Sequence, residues 1–590
     1  MQKPIYFYKS QLVELDKKHT EISNRILRVR ILRFTVFLAT AIGIYYTFKI
    51  PNIPIIIGFV GITLFIFLVT LHQKLKGKRK IIETKKNINT IEIEVINGSY
   101  SELDTGKEFI NPQHFFSNDI DLFGKGSFFQ FINRTVTNDG KKSLAKTLSS
   151  NHISNISEKQ KALQELSSKV KWRQHFSALE SLVSAKKETS VIIQWIQNYT
   201  SNLPSFLSIT IKVFPIISVV LIVLLILKII SFSVLLLWFF IGLGITASTL
   251  KTTQKLYTDA NHAKDIFKQY YLLLEQIENQ QFSSTILKEK QQEITSEDEK
   301  ASVIFKKFSK ILDAFDQRNN LIIAVVGNGL FLWDILNAIK TEKWIAQYKN
   351  VVAKWFETVS FFDAQNSLAN FVYNHPNYAF PNIQKESKII DAKNLGHPLL
   401  NSAKRIDNDF TIDTEQFFII TGANMAGKST FLRTISLSII MANCGLPVCA
   451  ENYNYTPIKL ITSMRTSDSL TDDESYFYSE LKRLKFIVDE IANDNYFIVL
   501  DEILKGTNSK DKALGSKKFV EKLSKSNSTG IIATHDVSLC ELAEEFSSQI
   551  ENHYFDAEII NDELFFDYKM KKGVCKNMNA SFLLKKMNIV

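Results

Sequence analysis

The sequence predicts an α/β domain over residues 388–590, preceded by an all-α region that two apolar helical hairpins interrupt. Three observations carry this. "QFFIITGANMAGKST" (416–430) reads as a buried strand, a glycine loop and the start of a helix. Four uncharged apolar runs stand upstream, and residues 251–375 are rich in Gln, Lys, Glu and Leu with few Gly or Pro. The first pattern requires a strand-to-helix turn, the second an apolar medium, and the third long helices.

With 590 residues the chain exceeds what one core can organise. A composition of 45% apolar and 22% charged residues, with 21 Gly and 11 Pro, excludes a disordered or collagen-like chain. The net charge of +11 fits a phosphate-rich partner, nucleic acid or anionic lipid, without choosing between them. Cys444, Cys449, Cys540 and Cys575 form no CxxC pair, which argues against a zinc site or disulfide framework and predicts a reducing cytoplasm. The charged opening thirty residues do not read as a secretory signal.

Along the chain, residues 1–33 form a charged cytoplasmic segment ending in Arg25, Arg28, Arg30 and Arg33. The runs 34–48 and 53–71, separated by Pro51 and Pro54, predict a first transmembrane hairpin over 34–73. Lys74, Lys76, Lys78, Arg79 and Lys80 follow it, so both ends are expected on the cytoplasmic side. Residues 74–118 read as a linker and 119–205 as a soluble mixed region. The runs 213–227 and 229–250, flanked by Lys212, Lys251 and Lys255, predict a second hairpin over 206–250. Residues 251–387 then read as long helices.

In the α/β domain, Gly422-Ala423-Asn424-Met425-Ala426-Gly427-Lys428-Ser429-Thr430 meets the full P-loop spacing. Such glycines turn backbone N–H groups toward phosphates; Lys428 adds charge at the β and γ positions, and the Ser429 hydroxyl can hold Mg²⁺. The following helix points its positive end at the anion. "NYFIVLDE" (495–502) ends a strand in Asp501, placed for the Mg²⁺ shell, and Glu502, placed to orient or deprotonate water. "TGIIATHD" (529–536) ends another strand at His535, in the position of a γ-phosphate sensor.

Together these motifs resemble the MutS family of ATPases, named for DNA mismatch repair. Its G-x-N-M-x-G-K-S-T loop matches residues 422–430, the Asn424-Met425 pair being distinctive. Its D-E-I-x-x-G-T matches 501–507, its Thr-His pair matches Thr534-His535, and "SYFYSEL" aligns Ser475, Phe477 and Glu480 with its signature. "GHPLL" (396–400) resembles the opening of the family's ATPase domain. Residues 121–148, with Val136-Thr137 and Gly140-Lys141, resemble the start of the family's helical core, and 251–375 would be its lever arms. The implied fold is an α/β P-loop ATPase domain of the ABC/MutS type at 388–590, preceded by an all-α core and lever region and the two transmembrane hairpins.

The resemblance implies a homodimer through the ATPase domains, in which Ser475 of one subunit meets the γ-phosphate held by Lys428 of the other. ATP with Mg²⁺ would close the dimer and hydrolysis through Glu502 would release it. The chain departs from the family in having Tyr476 for a signature Thr and Leu504-Lys505 for Gly-Arg. No Phe-x-Glu wedge precedes Phe519-Val520-Glu521, so the expectation is a membrane-anchored form lacking the mismatch-recognition domain. DNA is a possible partner, with the bilayer engaged through four spans and the ATPase domain in the cytoplasm. The competing expectations are an ABC-like transporter and a nucleotide-switched membrane scaffold.

Overall fold

A computed structural model describes residues 4–182, 188–295, 299–384, 388–423, 425–465, 476–504, 508–560 and 563–575. The chain opens with two antiparallel helices, Pro4–Thr47 and Ile53–Ile96, joined at Asn52, whose φ of 65° makes the reversal. Each has 44 residues and so measures about 66 Å, twice the hydrocarbon thickness of a bilayer. Both predicted apolar runs therefore lie at the tip of a longer hairpin. The helices pass unbroken through residues 33 and 73, because no proline or glycine cluster stops them there. At the tip the apolar side chains face outward; Ile55 and Phe59 are each 74% exposed. At the opposite end Tyr8, Asn89, Glu92 and Val95 are buried against the rest of the protein.

That anchorage is polar. The Tyr8 hydroxyl donates to Asn374 Oδ1 at 2.7 Å, Asn374 Nδ2 donates to Glu92 Oε2 at 2.8 Å, and Arg134 Nε donates to Glu92 Oε1 at 2.6 Å. The hairpin is thus tied to the long helix Val352–Asn374. The same helix carries Asp363, whose carboxylate accepts from the backbone N–H of Val136 and Thr137 and from the Thr137 hydroxyl. Thr137 in turn caps the helix Asn138–Leu148 by accepting from Gly140 N at 2.9 Å. A Cβ at Gly140 would lie 2.1 Å from Asp363 Oδ2, so the glycine admits the carboxylate. The helical body is packed by aromatics, among them Phe308 stacked on Trp344 at 3.8 Å.

Leu207–Ile226 and Phe232–Ser248 form the second apolar hairpin, followed by Leu250–Glu278. Among the described residues, Ile53–Ile96 and Leu207–Ile226 are each long and apolar enough to cross a membrane. Two bent pairs qualify only when taken together: Phe232–Ser248 with Leu250–Glu278, bent by 65°, and Ile323–Phe331 with Trp333–Tyr348, bent by 78°. The count is therefore two helices, or up to four, in place of the four runs expected. The run 34–48 is not among them, and the segment at 323–331 had not been anticipated.

The C-terminal domain is built on a six-stranded sheet. Its order is Lys571–Lys572, Ile550–Phe555, Phe417–Gly422, Thr529–Ala533, Tyr496–Asp501 and Lys459–Ser463. The first strand is antiparallel to its neighbour and the other five run parallel. Phe417–Gly422, near the middle, is buried at every residue, as a strand covered on both faces must be. The Lys459–Ser463 edge is covered by the helical region: Asn151 exchanges hydrogen bonds with both backbone groups of Leu460, and Thr462 N donates to Phe115 O. A four-stranded sheet of Asn382–Ile383, Asn452–Tyr455, Lys388–Leu395 and Asn408–Asp413 flanks it.

Candidate functional site

In a parallel sheet the strand ends point into one crevice, where loops and helix N-termini converge. Here the carboxyl ends of Phe417–Gly422, Tyr496–Asp501 and Thr529–Ala533 lie side by side, with Asp501 paired to Ala533. Gly422, at φ 153°, stands against the neighbouring strand: a Cβ would lie 2.5 Å from the carbonyl oxygen of Phe555. Gly427, at φ 99°, makes the second bend and leads into the helix Lys428–Asn443. Between them Ala423 and Ala426 are buried, while Met425, at φ 68°, is exposed. Ser429 and Thr430 follow on the exposed first turn. Asn424 and Ser475 lie outside the described residues.

Lys428 is buried, and its ammonium donates to Gly422 O at 2.8 Å and Ala423 O at 2.9 Å. The loop thus wraps its own lysine and fixes a cation at its centre. Burial pushes the pKa of Lys428 down, opposed by the charges of Asp501, Glu502 and Cys575. Ser429 Oγ donates to Asp501 Oδ2 at 2.7 Å, so the two oxygens expected to share a divalent cation already meet. A hydroxyl and a carboxylate at a strand end beside a helix N-terminus are hard oxygen donors suited to Mg²⁺, and the buried ammonium suits a polyphosphate.

Glu502 begins the loop beyond its strand with φ 56°, and Leu504 repeats the left-handed conformation at φ 59°. Such angles cost about 1–3 kcal/mol each at residues other than glycine and persist only where surrounding contacts impose them. Two such contacts are present. Glu502 N donates to Ala533 O at 2.9 Å, and Leu504 N donates to the buried carboxylate of Glu480 at 2.6 Å. The sequence had named Glu480 only as a signature match; its work on the 502–504 loop was not legible, because the contact crosses 24 residues. Lys505, Gly506 and Thr507 lie outside the described residues.

His535 Nε2 stands 3.1 Å from Glu502 Oε1. The carboxylate favours an imidazolium, yet burial and the nearby Lys428 lower the His535 pKa, outweighing Glu502 and Asp501. At neutral pH the ring is therefore a neutral donor toward Glu502. Lys428, Ser429, Asp501, Glu502 and His535 form one cluster drawn from two strand ends and one helix.

Beside the loop lies a cavity of about 340 Å³ lined by His397, Arg405, Met425, Thr430, Phe431 and Tyr568, among others. His397 belongs to the "GHPLL" stretch; burial, with Arg433 and Arg405 nearby, pushes its pKa down to about 4. Its apolar and aromatic walls, next to the phosphate-type loop, suit a flat heterocycle. Tyr568 comes from far along the chain, held by Asn408 Nδ2 donating to its carbonyl at 3.0 Å, and no local pattern marked it. A larger cavity, about 750 Å³, lies away from this cluster, between residues 95–100, 374–378 and 398–407.

The MutS domain V family model matches residues 418–585. The chain is 32% identical over 240 residues to the DNA mismatch repair protein MutS of Finegoldia magna, covering 39% of this chain and 28% of that protein. It is 30% identical over 246 residues to the human MutS protein homolog 4, covering 40% of this chain and 26% of that protein. With the DNA mismatch repair protein MutS of Methanococcoides burtonii it shares 31% over 220 residues, covering 36% and 24%. The chain thus spans about a quarter of the length of the curated relatives it matches.

Proposed function

We propose, proceeding from a chain that belongs to the MutS family through its C-terminal domain, that this protein is a membrane-anchored P-loop ATPase whose dimer closes on ATP and clamps DNA. The observation that carries the reading is the convergence of Lys428, Ser429, Asp501, Glu502 and His535 at adjacent strand ends. ATP would lay its phosphates along the 422–430 loop and its base in the cavity beside Met425 and Tyr568. The phosphate oxygens would replace the carbonyls of Gly422 and Ala423 as acceptors for the Lys428 ammonium. Ser429 and Asp501 are the residues that would hold Mg²⁺, which when bound neutralises charge on the phosphate oxygens.

Glu502 would orient a water on the γ-phosphorus and take its proton as the new P–O bond forms and the bond to the β–γ bridging oxygen breaks. The products are ADP and phosphate. His535, neutral and hydrogen-bonded to Glu502, would set the direction of that carboxylate and sense the γ-phosphate. By the family resemblance, the partner subunit's Ser475 would complete the site, making closure depend on ATP. The long helix Val352–Asn374 would carry that motion to the first hairpin through Asn374, Glu92 and Arg134.

Membrane anchorage is proposed through the apolar tip of the first hairpin and through Leu207–Ile226 with Phe232–Ser248. Basic residues flanking the tip favour the ATPase domain on the cytoplasmic side. DNA is proposed as the clamped polymer on the net charge of +11 and on the family. The test is the ATPase rate of the detergent-solubilised full chain, with and without matched and mismatched duplex at low salt. Equal stimulation by both duplexes, with steep loss on adding salt, is expected. No stimulation and no DNA binding at low salt would overturn the clamp and leave the transporter and scaffold readings.

A further inference from the structure

We propose that residues 321–331 form a third membrane-inserted element, a re-entrant helix that dips into the bilayer beside the second hairpin and returns to the side it entered. This rests on the reading of that hairpin as membrane-embedded. "LIIAVVGNGLFLW" (321–333) contains no charged residue, and it is bounded by the polar stretch 316–320 and by Asp334. Its helical part, Ile323–Gly327 continued by Asn328–Phe331, is about 14 Å long, half a bilayer's hydrocarbon thickness. Leu332, at φ 51°, then turns the chain by 78° into Trp333–Tyr348. Entry and exit are clasped together: Arg318 and Asp334 form a nearly buried ion pair at 3.1 Å. A segment pinned at both ends to one level cannot span.

Lipid requires that every backbone group be satisfied by protein, and the break at Leu332 is provided for. The carbonyl of Leu330 accepts from Ser218 Oγ at 2.6 Å, and Ser218 accepts from Trp238 Nε1 at 2.8 Å. Asn328 Nδ2 donates to Ala324 O, and Asn328 Oδ1 accepts from Asp334 N. The segment reaches the hairpin by small residues: a Cβ at Gly242 would lie 2.2 Å from Gly329 O, and one at Gly329 would lie 2.2 Å from the Phe239 ring. Close backbone approach through small residues and polar side chains on backbone carbonyls is how helices associate in lipid. Ser218 and Phe239 sit well inside their helices, about 16 and 14 Å along from Leu207 and Ser248, so the contact lies at hydrocarbon depth.

The outer face is apolar and continuous with the hairpin. Leu321 is 78% and Ile322 is 70% exposed, as Ile216 and Leu237 are on the hairpin helices. The occupant proposed for that face is lipid acyl chain. The experiment places an environment-sensitive fluorophore on Ile322→Cys and Val326→Cys of the full chain in phosphatidylcholine/phosphatidylglycerol vesicles. Ile216→Cys reports the hairpin and Leu514→Cys the ATPase domain. The native cysteines are buried, and the labelled unsubstituted protein supplies their background.

Quenching by nitroxide-bearing lipid at positions 322 and 326 is expected to match that at 216 and to exceed that at 514 at least threefold. Quenching at 322 and 326 by aqueous iodide, as at 514, with 216 still quenched by lipid, would overturn the re-entrant helix and leave the hairpin reading standing. Shielding of 322 and 326 from both quenchers would overturn it in favour of a protein contact. Iodide quenching at 216 as well would instead remove the hairpin reading on which the proposal rests.

Discussion

Replacing Glu480 with Ala tests whether the 502–504 loop is held in its strained conformation from outside the nucleotide cradle. The Glu480 carboxylate is buried and accepts from Leu504 N at 2.6 Å, two residues beyond Glu502. A hydrogen bond to a charged acceptor contributes about 1.5–3 kcal/mol. The left-handed Leu504 stores about 1–3 kcal/mol, which is released once the restraint goes. If the restraint serves to aim Glu502, its loss falls on the transition state, and each 1.4 kcal/mol is about tenfold in rate. Glu480→Ala is then expected to lower kcat by about 10- to 100-fold. Nucleotide affinity, which the proposed function assigns to Lys428 and the 422–430 loop, should change less than twofold. Glu480→Gln keeps an acceptor of the same shape and should recover most of the rate. The assay is steady-state ATP hydrolysis beside equilibrium binding of a fluorescent ATP analogue. A Glu480→Ala rate within twofold of the parent, or a fall in affinity equal to the fall in rate, would refute the positioning argument.

Lys428→Ala should abolish nucleotide binding, and Glu502→Gln should bind ATP normally while hydrolysis stalls; full turnover by Glu502→Gln would remove Glu502 as the base. Gly140→Ala places a Cβ 2.1 Å from Asp363 Oδ2 and should destabilise the protein by about 3–5 kcal/mol, read as a fall in Tm. Because both changes break the same contact, Gly140→Ala with Asp363→Ala should cost clearly less than the two separately, and simple additivity would show that the contact is unimportant. His375 and His397 are held near a pKa of about 4, each chiefly by burial, against about 6.5 when unfolded. The folded state therefore binds fewer protons than the unfolded one between these values. The stability is present in full above pH 6.5 and is lost as pH falls toward 4, at about 2 kcal/mol per ring by pH 5. His375→Gln should flatten the fall in Tm between pH 7 and pH 5, and an unchanged slope would refute the assignment.

The cradle was legible because its chemistry is local. Gly422, Gly427, Lys428 and Ser429 occupy one turn between a strand and a helix, and spacing alone brings them together. Asp501, Glu502 and His535 were legible as strand ends, since apolar runs that finish in polar residues share one edge of a parallel sheet. Glu480, Tyr568 and His397 were not assigned roles, because each reaches the site across the fold through contacts that no periodicity encodes. The 321–333 stretch is apolar in the sequence, but it is shorter than a span and sits among helix formers, so its character shows only where it packs on Gly242 and Ser218.

By itself, then, the sequence determined the C-terminal α/β domain, its strand-to-helix loop and the presence of apolar hairpins. These follow from short-range sterics and from the free energy of apolar side chains in water. The tertiary structure decided that the first hairpin is one pair of 44-residue helices rooted by Glu92, Arg134 and Asn374. It also decided that Asp363 needs Gly140 and that Glu480 restrains the loop of Glu502. Those are long-range hydrogen bonds to buried carboxylates and, at Gly140, a steric clearance, each set only once the whole chain has closed and excluded water around it.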